Sequence, residues 1–365
     1  MKYSNIRIEG GKIMKKLLGL FAVLMLFGVT NVSAIHVDNI DYDGSNVTVE
    51  QDDETGVYTL TLTGIADEDL IIRDGEEVIL DLNGWMFVNF TKECEAIKIE
   101  KGGKLTIVDN SASQGGRVTH VADSTYGPIT NLGTLIIEGG TFAVEDSFYV
   151  IRNEGTAIIN GGTFTSTSTD TSLIGNIRYV DETVTPVLTI EDGTFTAVSN
   201  TVKNNPNSEV TINGGTFTSE NAFALDNNGV AVVNGGELTS TNNSAIRTTI
   251  NSESETSLKV AEAAVLTSNE DKADYTIYDA TLNEDVTDNY NATVDEEGNV
   301  VFEEITTEPE EPTTPTDPVE EPTEPSEPVI ENPSTLDNIS VFMILGAISV
   351  IGLTVATVVL KKKHN

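Results

Sequence analysis

Ser208 to Ser219 reads SEVTINGGTFTS, and the phrase returns as GTLIIEGGTFAV from Gly133, GTAIINGGTFTS from Gly155, PVLTIEDGTFTA from Pro186 and GVAVVNGGELTS from Gly229. Aligned on it, Phe142, Phe164, Phe195, Phe217 and Leu238 lie 22, 31, 22 and 21 residues apart. A near-constant period of this size, broken by one 9-residue insertion, marks a solenoid with one supersecondary unit per repeat.

The columns of the alignment say which kind of solenoid. Leu135, Ala157, Leu188, Val210 and Ala231 form one apolar column, and Ile137, Ile159, Ile190, Ile212 and Val233 form another two residues on. The column between them mixes Ile, Val and Thr. Apolar positions at period two describe a strand with one buried face, and no segment shows the 3.6 period of a helix. Gly-Gly, or Asp192-Gly193, then supplies a turn, and Thr-Phe-Thr begins a second strand with Phe pointing inward. A third strand ends in Ile129-Thr130-Asn131, Ile151-Arg152-Asn153, Val202-Lys203-Asn204 and Leu225-Asp226-Asn227. Three short strands and three turns make one coil of an all-β parallel β-helix, each strand stacked about 4.8 Å from its counterpart. The recurrent Asn predicts a ladder of amides at one corner that satisfies buried backbone groups, a scaffold rather than chemistry.

Upstream, YTLTLTGIADEDLIIRDGEEVILDLNGWMF and KIEKGGKLTIVDNSASQGGRVTHV keep the strand-turn rhythm, so the solenoid is expected over residues 55–270, with caps at 35–54 and 271–303. LDLNGWMF, GGKLTIVDNS and the repeated INGGTFT together resemble the pectate-lyase-like, right-handed β-helix surface proteins of gut Firmicutes. The resemblance covers roughly residues 55 to 260 and implies the architecture, not an activity. Trp85, Phe87 and Phe90 are expected to form a hydrophobic plug over the open end; the other reading is an aromatic platform for sugars.

The flanks describe an exported chain. Met14-Lys15-Lys16, an apolar run and Val32-Ser33-Ala34 have the anatomy of a secretory signal peptide within residues 1–34, with translation starting at Met14 and cleavage after Ala34. Residues 304–331 alternate Pro with Glu and Thr, a composition that favours an extended polyproline II stalk over a core. Ile339 to Leu360 carries no charge over 22 residues, enough to cross a bilayer, and Lys361, Lys362 and Lys363 begin a basic tail at 361–365 expected on the cytoplasmic side.

Just before that span stand Asn332, Pro333, Ser334, Thr335 and Leu336. A short motif, a span and lysines in this order resemble the cell-wall sorting signal of Gram-positive surface proteins, usually Leu-Pro-x-Thr-Gly. Pro333 and Thr335 match, Asn332 fits a sorting variant that begins Asn-Pro-x-Thr, and Leu336 departs from the usual Gly. The resemblance implies sortase and peptidoglycan as partners: a sortase cysteine attacks the Thr335 carbonyl, and a cell-wall peptide amine takes the acyl group. The membrane is then a partner of the precursor only.

Between the flanks, residues 35–335 hold 12 basic and 56 acidic side chains, a net charge of −44. That argues against nucleic acid or an anionic membrane surface as a partner. Cys94 is the only cysteine, so the chain must be held by its core without an internal disulfide.

A catalytic β-helix would need a cation-bound carboxylate set with an Arg or Lys base, or paired carboxylates facing one groove, and neither constellation is visible. No cofactor is expected; acidic runs such as Asp67-Glu68-Asp69 could bind calcium loosely but lack the spacing of a dedicated loop. From residue 127 to 250 the only cations are Arg152, Arg178, Lys203 and Arg247, each directly after an apolar residue. Three share one repeat column, and Arg178 falls in the coil that carries the insertion. An outward basic stripe, interrupted at Asp226, reads first as a solvated column balancing neighbouring Asp and Glu; the functional alternative is a surface that grips an anionic host or plant glycan. The chain thus reads as a wall-anchored surface protein displaying a non-catalytic adhesive or glycan-binding solenoid. A surface polysaccharide lyase or hydrolase and a purely structural spacer stay open as alternatives.

Overall fold

A computed structural model describes residues 46–306, apart from 68, 91–93, 122, 146–147, 180 and 182. The expected signal peptide at 1–34, the expected stalk beyond residue 306, the motif at 332–336 and the apolar segment 339–360 lie outside the described residues.

Alternation at period two dictates one strand after another, and the chain winds them into an all-β solenoid of the right-handed type with about eight coils. One coil shows the pattern. Thr134–Ile137 enters the first sheet, Thr141–Val144 the second and Ile151–Asn153 the third, after which the next coil begins. The first and third sheets have ten strands and the second has nine. Pairing is parallel except at the ends, where Val47–Gln51 runs antiparallel to Tyr58–Leu62, and Glu284–Asp285 antiparallel to Tyr275–Asp279.

Parallel, in-register pairing places each side chain on its equivalent one coil away. Phe142, Phe164, Phe195 and Phe217 are partners in register, and their rings stack with centroids 4.8, 4.8 and 4.5 Å apart and planes within 9°. The column continues upstream through Val118 to Phe87, which is fully buried. The expected plug of Trp85, Phe87 and Phe90 is therefore corrected. Alternation in Met86–Asn89 sends Phe87 into the core, whereas Trp85 and Phe90 are 45% and 58% exposed on the outside. The open end is closed instead by Val47–Gln51, which puts Val47 into the core beside Leu62.

The Gly-Gly corner follows from the same stacking. Gly215 has φ +98°, and a Cβ there would sit 2.9 Å from the Gly193 carbonyl oxygen of the preceding coil. A side chain would be strained by both the backbone and the approach.

At the corner between the third and first sheets runs the amide ladder. Asn131 donates to the Oδ1 of Asn153 (2.7 Å), Asn153 to Asn176 (2.8 Å), Asn176 to Asn204 (2.8 Å) and Asn204 to Asn227 (2.9 Å). Each also donates to a backbone carbonyl across the corner, as Asn176 does to Glu209 at 2.8 Å. All five are fully buried. Asn176 belongs to the coil whose insertion obscured the alignment. The added residues form a loop between Ile174–Asn176 and Val187–Ile190 that leaves the register of both strands intact.

At the far end a hairpin of Tyr290–Val294 and Val300–Glu304 docks on the last strand of the first sheet. The Val260 N–H donates to the Gly298 carbonyl at 2.8 Å, and Val300 and Phe302 pack on the core.

Asn176→Ala would leave the Asn204 Oδ1 and the Glu209 carbonyl without their donor in a dry corner. It is expected to cost about 2–3 kcal/mol in urea denaturation. Asn160→Ala, at an exposed pair with Glu138, should stay within about 0.5 kcal/mol.

Candidate functional site

The third sheet positions the candidate cations. In each triplet the flanking residues point inward and the middle one outward, so pairing generates a single external column. In order it holds Ile71, Lys98, Thr130, Arg152, Gly175, Lys203, Asp226, Arg247 and Thr276. Three of the four residues expected in the stripe lie on it. Arg178 does not: it sits two residues beyond Asn176, in the inserted loop, and lines a separate cavity of about 190 Å³ with Ser208, Glu209 and Glu255.

The column is not a uniform row of free charges. Arg247 forks onto Asp226, Nε to Oδ1 at 2.8 Å and Nη2 to Oδ2 at 2.6 Å. The Asp226 carboxylate is buried, and the guanidinium lies 5.0 Å from the Phe223 ring and 5.5 Å from that of Tyr278. This is a bidentate ion pair walled by aromatics, a structural element in which Arg247 is already engaged.

Arg152 is engaged as well, by a single Nη contact in place of a fork, and Lys203 alone differs. Arg152 pairs through Nη2 with Glu154 at 2.5 Å, and the ring of Tyr179 lies 4.9 Å over its guanidinium carbon. Tyr179 comes from the inserted loop and is 76% exposed, so this ring presents surface to solvent while touching a cation. A salt bridge from Lys101 to Asp181, 2.8 Å, ties the same loop to a much earlier coil. Hydrogen bonds from Lys101 and then Thr183 hold the Asp181 carboxyl far below the usual range. Between Arg152 and Lys203 the column has Gly175, where a Cβ would fall 3.0 Å from atoms of the Tyr149 ring. The missing side chain is the notch that admits Tyr149. Burial pushes the Tyr149 hydroxyl up, Arg152 opposes the shift and Asp226 adds to it, which places the phenol in the field of both charges. For Lys203 no ion pair is found among the described residues.

The site is therefore a short patch: Arg152 under an exposed tyrosine, Tyr149 in the glycine notch, then the Lys203 ammonium. Sequence reasoning missed Tyr149, Tyr179 and Lys98. Ile97-Lys98-Ile99 carries the right signal, a cation between inward apolar residues, but lies upstream of the regular repeats. The place of Tyr179 depends on how the insertion folds, which no periodicity encodes.

Of the acidic run named for calcium, Asp67 accepts from the Phe90 N–H and Asp69 from the Asn89 amide, both at 3.1 Å. Among the described residues no group of three or more His, Cys, Asp or Glu is placed to hold a metal. The motif Asn332 to Leu336 lies outside the described residues.

The class that fold and patch define is a parallel β-solenoid with a cation–aromatic patch on its third sheet. No family model matches the chain, and no curated protein or solved structure matches it.

Arg247→Gln would strand the buried Asp226 carboxylate and is expected to cost about 3–5 kcal/mol. Lys203→Gln should change stability by no more than about 0.5 kcal/mol. Urea denaturation of the two variants checks the division between structural and free cations.

Proposed function

We propose that this chain is an exported surface protein, attached to a Gram-positive cell wall through residues 332–336, whose solenoid binds acidic glycans without catalysing their breakdown. The observation that carries the reading is Arg152 under the exposed ring of Tyr179, one notch away from the unpaired Lys203. A sugar ring covers an aromatic face through its C–H surface, while guanidinium and ammonium groups receive carboxylate or sulfate oxygens. On a chain of net charge −38, such a patch is where a negatively charged ligand would meet attraction rather than repulsion.

Attachment is supported by the order of segments: signal sequence, acidic solenoid, Pro-rich stalk, Asn-Pro-Ser-Thr-Leu, apolar span, lysines. In this reading Thr335 supplies the carbonyl that becomes joined to the wall peptide. The chain is the substrate of that transfer, with sortase as the catalyst, and the stalk holds the solenoid away from the wall.

A glycan array run with the exported chain, beside a Tyr179→Ala/Lys203→Gln variant, tests the binding claim. Wild type should retain sulfated or uronate-rich glycans, and the variant should bind them about tenfold more weakly. Equal binding by both would refute the patch as receptor. Release of shortened glycans would move the protein to the polysaccharide-cleaving alternative.

A further inference from the structure

The amide ladder stops at Asn227, and what replaces it opens a cavity. The next residue in register is Thr248, followed one coil on by Ile277. Asn227 donates to the Ser257 carbonyl at 3.0 Å, but no further Asn follows it. Threonine is shorter than asparagine and carries no amide, so the corner loses the group that fills it in the preceding coils. At that place lies a cavity of about 320 Å³ between the last coils and the C-terminal hairpin.

Its chemistry is specific. Thr248 lines it and is only 2% exposed, yet its hydroxyl has no hydrogen-bond partner. A buried hydroxyl without a partner is uncommon. Around it stand Asn251, Ser252, Ser254 and Thr256. The Ser252 and Ser254 hydroxyls are 3.1 Å apart, and Thr256 donates to the Asn228 carbonyl at 3.3 Å, which leaves acceptor capacity on each. Leu258, Val300 and Phe302 form an apolar wall. No charged side chain lines the cavity, although the chain as a whole is strongly acidic.

We propose that this cavity is a second binding site, for one uncharged sugar at the end of a neutral glycan. Its hydroxyls would be met by Thr248 and the Ser/Thr/Asn rim, and its C–H face by Phe302, Leu258 and Val300. The volume lies at the lower end of the range for ligand pockets, the size for a single ring rather than a chain. An uncharged lining offers no cation to the acidic ligands proposed for the third-sheet patch. The two sites share no residue, and neither proposal rests on the other.

Saturation-transfer NMR on the full-length protein, held in a detergent without a sugar headgroup, tests the site. The probes are the methyl glycosides of glucose, galactose, mannose and N-acetylglucosamine. Transfer to at least one is expected, with a millimolar Kd. Thr248→Asn should extend the ladder, accept from Asn227, fill the cavity and weaken that binding at least tenfold. Thr248→Val removes the unpaired hydroxyl at constant shape; it should melt no lower than wild type and also bind more weakly. Tyr179→Ala/Lys203→Gln should bind the neutral glycoside as wild type does. No transfer from any of the four sugars up to about 50 mM overturns the proposal and leaves a solvated cavity, as does unchanged binding by either Thr248 variant.

Discussion

A carboxamide buried at a dry corner must place two N–H groups and an oxygen with two lone pairs, and in this solenoid the neighbouring coils supply the partners. Each Asn from 131 to 204 gives one N–H to the next Asn and another to a backbone carbonyl across the corner. The ladder therefore fixes coil spacing and register together. A slip by one residue would leave amides and carbonyls unpaired in the interior at once. The stacked phenylalanines, the glycine corner and the external column all inherit that register.

The external face follows as a consequence. Once Asn is fixed at the corner and an apolar residue is fixed inside, the residue between them must face outward, and its identity is free to vary. Evolution has used that freedom differently in successive coils: a cation under a tyrosine, a glycine admitting another tyrosine, a lone lysine, then an aspartate held by an arginine. One column thus mixes a cation–aromatic patch with a structural ion pair. The Asp226–Arg247 fork also shows how charge is kept within a solenoid of such acidity, by pairing in a bidentate geometry walled with aromatic rings.

Much of this was legible in the residues. Period-two columns define the strands, Thr-Phe-Thr the Phe stack, and Ile-X-Asn the ladder, because stacking repeats one local environment in coil after coil. What escaped depends on relations between coils of unequal spacing. Asn176 was hidden by the insertion, although Ile174-Gly175-Asn176 keeps the triplet. Arg178 looked like a stripe member because it follows Ile177, but the chain has already left the sheet there. Asp226 and Arg247 are 21 residues apart, and their pairing appears only when two coils are set in register. Phe87 was grouped with Trp85 and Phe90 by composition, while strand alternation separates it from both.

Register in this solenoid depends on a ladder that is continuous and dry. Hydrogen exchange of the side-chain amides of Asn153, Asn176 and Asn204, resolved by NMR with nitrogen labelling, measures that most directly. Protection comparable to that of the backbone amides in the neighbouring strands is the expected result. Exchange as fast as that of the exposed Asn160 amide would contradict it and would place water at the corner on which the fold is argued to depend.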